Sequence, residues 1–311
     1  MKPEKPYALA LDIGGTKTAV SLWKDGRDLI KKRSFPTEGG PDAVMTKTVE
    51  IVDGLCGEAS VGRPAVSALG ISCGGPLDSV RGLVLSPPNL PGWDEVPVTV
   101  MLGEKTGVPC FLENDANACA LAEWYWGAGR GYTNMVFLTF GTGFGCGLIL
   151  DGRLYRGACD LAGEVGHIRI AENGPPGYGK RGSWEGYCSG GGISRMYAEL
   201  TGRTETGKYI CEAAERGEAE AVEVIEKSAF HLGRGLAILI DILNPQRIVI
   251  GSIFARSEAL FRKTMEEVIA REALAASREH CTVAPAQLGE LLGDMAALGV
   301  ALNGVRGTSG N

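Results

Sequence analysis

Residues 7–23 read YALALDIGGTKTAVSLW. Leu9, Leu11 and Ile13 recur with period two, as apolar residues do along a strand. Gly14 and Gly15 interrupt the run, and a second apolar run follows from Thr18 to Trp23. The stretch therefore predicts a strand, a tight glycine turn and a second strand. Asp25-Gly26 then signals a hairpin into RDLIKKRSF. The same order returns at residues 135–155, MVFLTFGTGFGCGLILDGRLY, with the glycine turn at Gly141–Gly143 and a hairpin signal at Asp151-Gly152. Two copies of one supersecondary unit predict two similar domains.

The 311 residues suffice for two domains with sizeable cores. With 44% hydrophobic and 22% charged residues, the composition is that of an ordinary globular protein. A net charge of −6 argues against a broad basic face for nucleic acid. No apolar run reaches the roughly 18 residues needed to cross a bilayer. No long apolar stretch precedes the first motif, so a secretory leader is not expected and a cytoplasmic location is. Nine cysteines, odd in number and without C-x-x-C spacing, read as reduced thiols, most of them small core residues.

Between the two units, a helix is predicted over 41–59, with Pro41 at its start, and a buried strand over AVSALGISC. Residues 74–95 read as loop. A helix around 96–106 follows, then the strand PCFLEN and a helix over DANACALAEWYW that Asn114 can cap. Further on, AEAVEVIEKSAFHLGRGLAILIDIL predicts a long helix stopped by Asn244-Pro245, and RIVIGS a short strand. Helices over 255–270 and 288–304 are expected, with a frayed tail from 304.

Several motifs carry chemistry. DIGGTK places Asp12, Gly14, Gly15, Thr16 and Lys17 at a turn whose N–H groups can hold phosphate oxygens. It is not a P-loop, since the spacing differs and a strand follows instead of a helix. GTGFGCG is a second such turn, with Gly141, Thr142 and Gly143. In ENDAN, Asp115 sits at a helix start, where the dipole favours its charged form and suits it to accept a proton; as a single feature it also reads as a cap. NLPGW offers Asn89 and Trp93 in a proline-bounded loop, suited to a hydroxyl-rich ligand or to simple anchoring of the loop. AGEVGH and SWEGYCSGGG add Glu164, His167 and Glu185, two acids and an imidazole that can bond sugar hydroxyls.

Taken together, LALDIGGTK, NLPGW, ENDANACALAEW, FLTFGTGFGCGLIL, AGEVGH and NPQRIVIGS resemble the ROK family (repressors, open reading frames and sugar kinases), and its glucokinase-like members in particular, over nearly the full chain. The resemblance implies an α/β, actin-like, ribonuclease-H-like fold of two domains. The first would span 1–117, with a C-terminal helix at about 292–305 packing back on it, and the second 118–291. ATP and sugar would lie between them, and domain closure would expel water. It implies Asp115 as catalytic base, with Gly75, Asn89, Asn114, Asp115, Glu164, His167 and Glu185 on the sugar. It also implies Asp12–Lys17 and Gly141–Gly143 on the phosphates, Gly251 near adenosine, and Mg²⁺ with Asp12 as a ligand. Residue 252 is serine where the family usually has a second glycine.

Many members hold zinc with this histidine and three cysteines in the pattern C-x-C-G-x-x-G-C-x-E. The corresponding stretch here is PGYGKRGSWE, with Pro176, Tyr178 and Ser183 at the cysteine positions. No zinc is therefore expected, with loop order coming from Pro175, Pro176 and the buried rings of Tyr178 and Trp184.

The function that the resemblance implies is phosphoryl transfer from ATP to a hexose hydroxyl, that on C6, with glucose as the default. N-acetylmannosamine, N-acetylglucosamine, fructose and allose are alternative acceptors, and a regulatory sugar-binding protein without kinase activity is the alternative of another class. ROK repressors carry an extra N-terminal DNA-binding region, and with the phosphate turn beginning at residue 12 none is expected here. A homodimer fits the family habit, with no nucleic-acid or membrane partner.

Overall fold

The computed structural model describes residues 5–308. The chain divides into two compact units. Among the described residues, one holds 5–125, Gly157–Asp160 and 290–308. The other holds Trp126–Arg156 and Leu161–Gly289.

In the first unit the strands are β1 (Tyr7–Ile13), β2 (Lys17–Lys24), β3 (Asp28–Pro36), β4 (Val66–Cys73), the short pair β5 (Leu77–Asp78) and β6 (Leu83–Val84), and β7 (Cys110–Asn114). The helices are α1 (Gly40–Glu58), α2 (Val98–Thr106) and α3 (Asp115–Trp126). The sheet runs β3-β2-β1-β4-β7, with the first two pairings antiparallel and the last two parallel. Leu9, Leu11 and Ile13 are buried, and so are Ala8 and Ala10, which point to the other face. A strand covered on both faces loses clean alternation. The cover includes the C-terminal helix Leu292–Thr308, which packs on β1 and β4. It approaches so closely that a Cβ on Gly70 would lie 2.1 Å from the Ala297 carbonyl oxygen. The tail expected to fray from 304 is helical through Thr308, and the remainder of that expectation lies outside the described residues. β3 is an edge strand, exposed along most of its length and carrying Lys31, Lys32 and Arg33, charges that discourage pairing with another chain.

The second unit repeats the plan. Its strands are β8 (Met135–Leu138), β9 (Cys146–Leu150), β10 (Arg153–Tyr155), the short pair β11 (Pro176–Gly177) and β12 (Lys180–Arg181), β13 (Arg247–Ile250) and β14 (Thr282–Pro285). The sheet runs β10-β9-β8-β13-β14, again two antiparallel pairings followed by two parallel ones. The glycine turns thus occupy equivalent places, Gly14 and Gly15 between β1 and β2, and Gly141–Gly143 between β8 and β9. Asp25-Gly26 and Asp151-Gly152 both have positive φ at each residue, the type I′ turn that matches the twist of the strands it joins.

The helices of this unit are α4 (Trp184–Tyr187), α5 (Gly190–Thr201), α6 (Gly207–Glu215), α7 (Ala219–Leu243), α8 (Ser252–Glu272) and α9 (Ala275–Glu279), with Leu292–Thr308 of the first unit as α10. α7 ends at Asn244 in the left-handed conformation, and Pro245 follows. Helices α4, α5 and α6 lie in a stretch whose glycines weaken any helical reading. Their signal is in the caps: the hydroxyls of Ser183, Ser189 and Thr206 accept from the N–H groups of Gly186, Gly192 and Tyr209. Each unit buries its own apolar core, and the two cores share no residue.

Candidate functional site

In the first unit, the turn after β1 is closed by Gly14 N–H donating to the Lys17 carbonyl at 3.0 Å. The Thr37 hydroxyl donates to the Gly14 carbonyl at 2.8 Å and lies 2.8 Å from the Thr18 hydroxyl. Asn89 packs against this turn from the NLPGW loop. A Cβ on Gly15 would sit 2.5 Å from the Asn89 carbonyl oxygen, and one on Gly74 would sit 3.2 Å from its side-chain oxygen. At Gly15 only a residue without a side chain allows that approach. Gly14, Gly15, Gly75 and Asn89 are thereby brought to one end of the sheet, with Trp93 and Leu90 buried beneath the loop.

β4 and β7 run parallel, so Cys73 pairs with Asn114 and the chain passes directly from β7 into α3. Asn114 caps that helix, its Oδ1 accepting from Asn117 N–H at 2.7 Å. Its amide N–H₂ group is left as donors. Glu113, fully buried, accepts from Asn114 N–H at 3.1 Å and from Asn117 Nδ2 at 2.9 Å. It was present in the ENDAN motif but not singled out there. It ties the end of β7 to the first turn of α3 through Asn114 and Asn117.

Asp115 is the first residue of α3, and its Oδ1 accepts from Ala116 N–H at 2.8 Å. The helix N-terminus was expected to hold this carboxyl charged. Solvent reaches the residue, yet the protein gathered around the carboxyl raises its pKa above 3.8, and the N–H groups of Ala116 and Asp115 offset only part of that rise.

Asp12 ends near the same edge. Desolvation first, then the charges of Asp294 and Asp115, push its pKa up to about 6, against the opposing pull of Lys32 and Lys17. Asp294 stands at the start of α10 and pairs with Lys32 at 2.6 Å. Among the described residues no group of three or more His, Cys, Asp or Glu is placed to hold a metal. Mg²⁺ bound with a nucleotide needs only one or two carboxylates, since phosphate oxygens and water complete its shell. Asp12, with Asp294 and Asp115 close enough to act on its charge, fits that requirement, and a bound cation would favour its ionised form.

In the second unit, Gly141 N–H donates to the Gly143 carbonyl at 3.1 Å, and Gly190 N–H, at the start of α5, donates to the Gly141 carbonyl at 2.7 Å. Glu185 reaches the same turn, its Oε2 accepting from Phe144 N–H at 3.1 Å. Ser252, which follows Gly251 after β13, is also at this turn: a Cβ on Gly141 would lie 3.5 Å from its hydroxyl. Ser252 has φ +54, the left-handed conformation that glycine takes without strain. Thr142, Gly143, Glu185, Gly251 and Ser252 therefore cluster within this unit.

A model described as the ROK family matches residues 8–303. The chain belongs to the ROK family. It is 34% identical over 279 residues to a glucokinase of Thermotoga maritima, covering 84% of this chain and 86% of that protein. Among solved structures it resembles a ROK hexokinase from Thermus thermophilus, with a TM-score of 0.86, 31% identity and coverage of 97% and 99% of the two chains. It also resembles a ROK family glucokinase from Streptomyces griseus solved with glucose and AMPPNP, with a TM-score of 0.73, 30% identity and coverage of 94% and 98%. The fold is the two-domain actin-like ATPase fold of ROK kinases, with the ribonuclease-H-like sheet present in each unit.

The ROK zinc position is filled differently here. Pro176, Tyr178 and Ser183 bring no thiolate, and the Ser183 hydroxyl is engaged as the cap of α4. Cys188 is fully buried and directs its thiol to the Ser228 carbonyl at 3.5 Å, and Cys159 belongs to the other unit. This donor set does not fit a structural zinc, which takes four Cys or His ligands. The loop is ordered by its own bonds. β11 and β12 form a hairpin, Trp184 N–H donates to the Ile168 carbonyl at 2.8 Å, and the Tyr187 hydroxyl donates to the Asn173 carbonyl at 2.6 Å. Trp184 is buried as expected, but Tyr178 is 47% exposed, because its ring lies edge-on against His167 at 5.3 Å and not in the core. Glu164 and His167 are both exposed, Glu164 preceding and His167 ending the short 3₁₀ turn Val165–His167.

Proposed function

We propose that this ROK protein is an ATP-dependent hexose kinase that phosphorylates the C6 hydroxyl of glucose, with Asp115 as general base. The observation that carries the reading is Asp115 itself: a carboxyl of raised pKa at the head of α3, beside an asparagine with free amide donors. A base works best when its pKa approaches the operating pH.

In this reading Asp115 takes the proton of the sugar hydroxyl as that oxygen attacks the γ-phosphorus. The bond between γ-phosphorus and the β–γ bridging oxygen breaks, and ADP leaves. Asn114, Asn89 and Gly75 of the first unit and Glu164, His167 and Glu185 of the second bind sugar hydroxyls. Glu185 Oε2 is engaged with Phe144, which leaves Oε1 to accept from a hydroxyl. The N–H groups of Gly14–Lys17 and Gly141–Gly143 hold phosphate oxygens, and Lys17 adds positive charge. Gly251 lies on the adenosine side, and Asp12 is the residue that would hold Mg²⁺. Mg²⁺, when bound, neutralises charge on the transferring phosphoryl group. The chain's own contribution is alignment and charge placement.

Among the described residues no helix is long and apolar enough to cross a membrane, and a cytoplasmic homodimer completes the proposal. The test is ADP release with ATP and glucose, run beside N-acetylmannosamine, N-acetylglucosamine, fructose and allose, with phosphorus NMR to locate the new ester. Glucose 6-phosphate as the main product supports the reading. Absence of product with every sugar overturns it in favour of a regulatory sugar-binding protein.

A further inference from the structure

His167 Nδ1 lies 2.9 Å from the ammonium nitrogen of Lys180. The contact follows from local chain geometry. Tyr178 and Gly179 have φ of +53° and +69°, a two-residue type I′ turn. That turn sets Lys180 opposite Gly177 in the β11–β12 hairpin. The Tyr178 ring lies edge-on to His167 and over Gly166, where an added Cβ would be 3.3 Å from its Cε2. The imidazole is thus fixed from two sides by one hairpin. An ammonium group has donors only, so a hydrogen bond to it requires Nδ1 to accept. The single proton of the neutral ring must then sit on Nε2.

We propose that Lys180 is a positioning residue that takes the place of a metal at His167, holding the ring as the Nε2–H tautomer so that it donates to a sugar hydroxyl oxygen. A metal ion on Nδ1 would enforce the same tautomer, because it too needs the Nδ1 lone pair. The hairpin supplies this control where the thiolates needed for zinc are missing. The inference rests on the kinase reading for the identity of the ligand, but the tautomer itself does not depend on it.

The experiment uses the whole protein labelled with ¹⁵N-histidine. With only three histidines in the chain, the His167 ring is assigned by comparison with His167→Gln. Long-range ¹H–¹⁵N spectra read which ring nitrogen carries the proton. The wild type is expected to show Nε2–H at His167. Lys180→Met should shift the ring toward a mixture of tautomers and raise the KM for glucose about five- to tenfold, the worth of about one hydrogen bond. The KM for ATP and kcat should move less than about twofold. Lys180→Arg, again a donor only, should restore both the spectrum and the KM. A proton on Nδ1 in the wild type, or a Lys180→Met variant with an unchanged ring spectrum, overturns the proposal. Failure of the wild type to phosphorylate any hexose would instead sink the functional reading, while the spectra still decide this one.

Discussion

Glu185 Oε2 accepts a hydrogen bond from the backbone N–H of Phe144 at 3.1 Å. One carboxylate, at the start of α4, is thereby tied to the glycine turn that joins β8 to β9. The residue proposed to bind the sugar is thus also tied to the turn proposed to hold phosphate. A Cβ on Gly143 would stand 3.0 Å from that same oxygen.

On the proposed function, this tie predicts that the two substrates are interdependent. Gly143→Val should raise the KM for glucose and for ATP together, because the new side chain displaces Glu185 as well as the turn. Glu185→Ala should do the same, lowering kcat/KM by about 10- to 100-fold, as expected for a hydrogen bond to a charged group worth about 1.5–3 kcal/mol. Steady-state kinetics with each substrate varied in turn check this. A change confined to one substrate would mean that the contact with Phe144 has no functional consequence.

Glu113 is buried and accepts from Asn114 N–H and Asn117 Nδ2. Glu113→Ala leaves both without that acceptor at the β7–α3 junction. Thermal and urea unfolding should show a loss of about 1–3 kcal/mol. An unchanged midpoint would show that water replaces the carboxylate without cost.

The pKa of Asp12 is about 6, raised from 3.8 mainly by desolvation and then by Asp294 and Asp115. A carboxyl whose folded pKa is raised adds stability that is complete below 3.8 and is lost as pH rises through about 6. Asp12→Asn removes that titration. In EDTA and without nucleotide, the variant should melt higher than the wild type at neutral to alkaline pH, and the gap should close as pH falls toward 3.8. Equal melting temperatures across the range would contradict the assigned charge environment.

Much of this architecture is legible in the sequence, because local chemistry and tertiary structure agree there. The Asp-Gly pairs at 25–26 and 151–152 specify type I′ turns by themselves, and Asn244-Pro245 ends α7 by conformation alone. The cluster of Asn89 with Gly15 and Gly74 was not legible, since it depends on residues far apart in the chain that only the packed loop unites. Helices α4 to α6 were hidden because glycine weakens the helical pattern, although the capping serines and threonine were in view. The contact of Lys180 with His167 arises from a Tyr-Gly turn, a pair that carries no strong hairpin signal.

Ser252 stands where a glycine is the unstrained choice, with φ +54 and its hydroxyl beside Gly141. Ser252→Gly should stabilise the protein by about 1 kcal/mol by removing left-handed strain. Differential scanning calorimetry checks the sign. A destabilised variant would mean that the hydroxyl contributes more than the strain costs.

The central claim is that Asp115 accepts the proton of the sugar hydroxyl, and one paired measurement on Asp115→Asn tests it. The amide keeps the shape of the carboxyl and can still accept from Ala116 N–H, but it cannot serve as a base. The rate of glucose phosphorylation at saturating ATP is measured beside glucose affinity by calorimetry. The expected result is a fall in kcat of about 10²–10⁴-fold with glucose affinity close to that of the wild type. A variant that keeps a near-normal kcat would contradict the account and leave Asp115 as a helix-end residue alone.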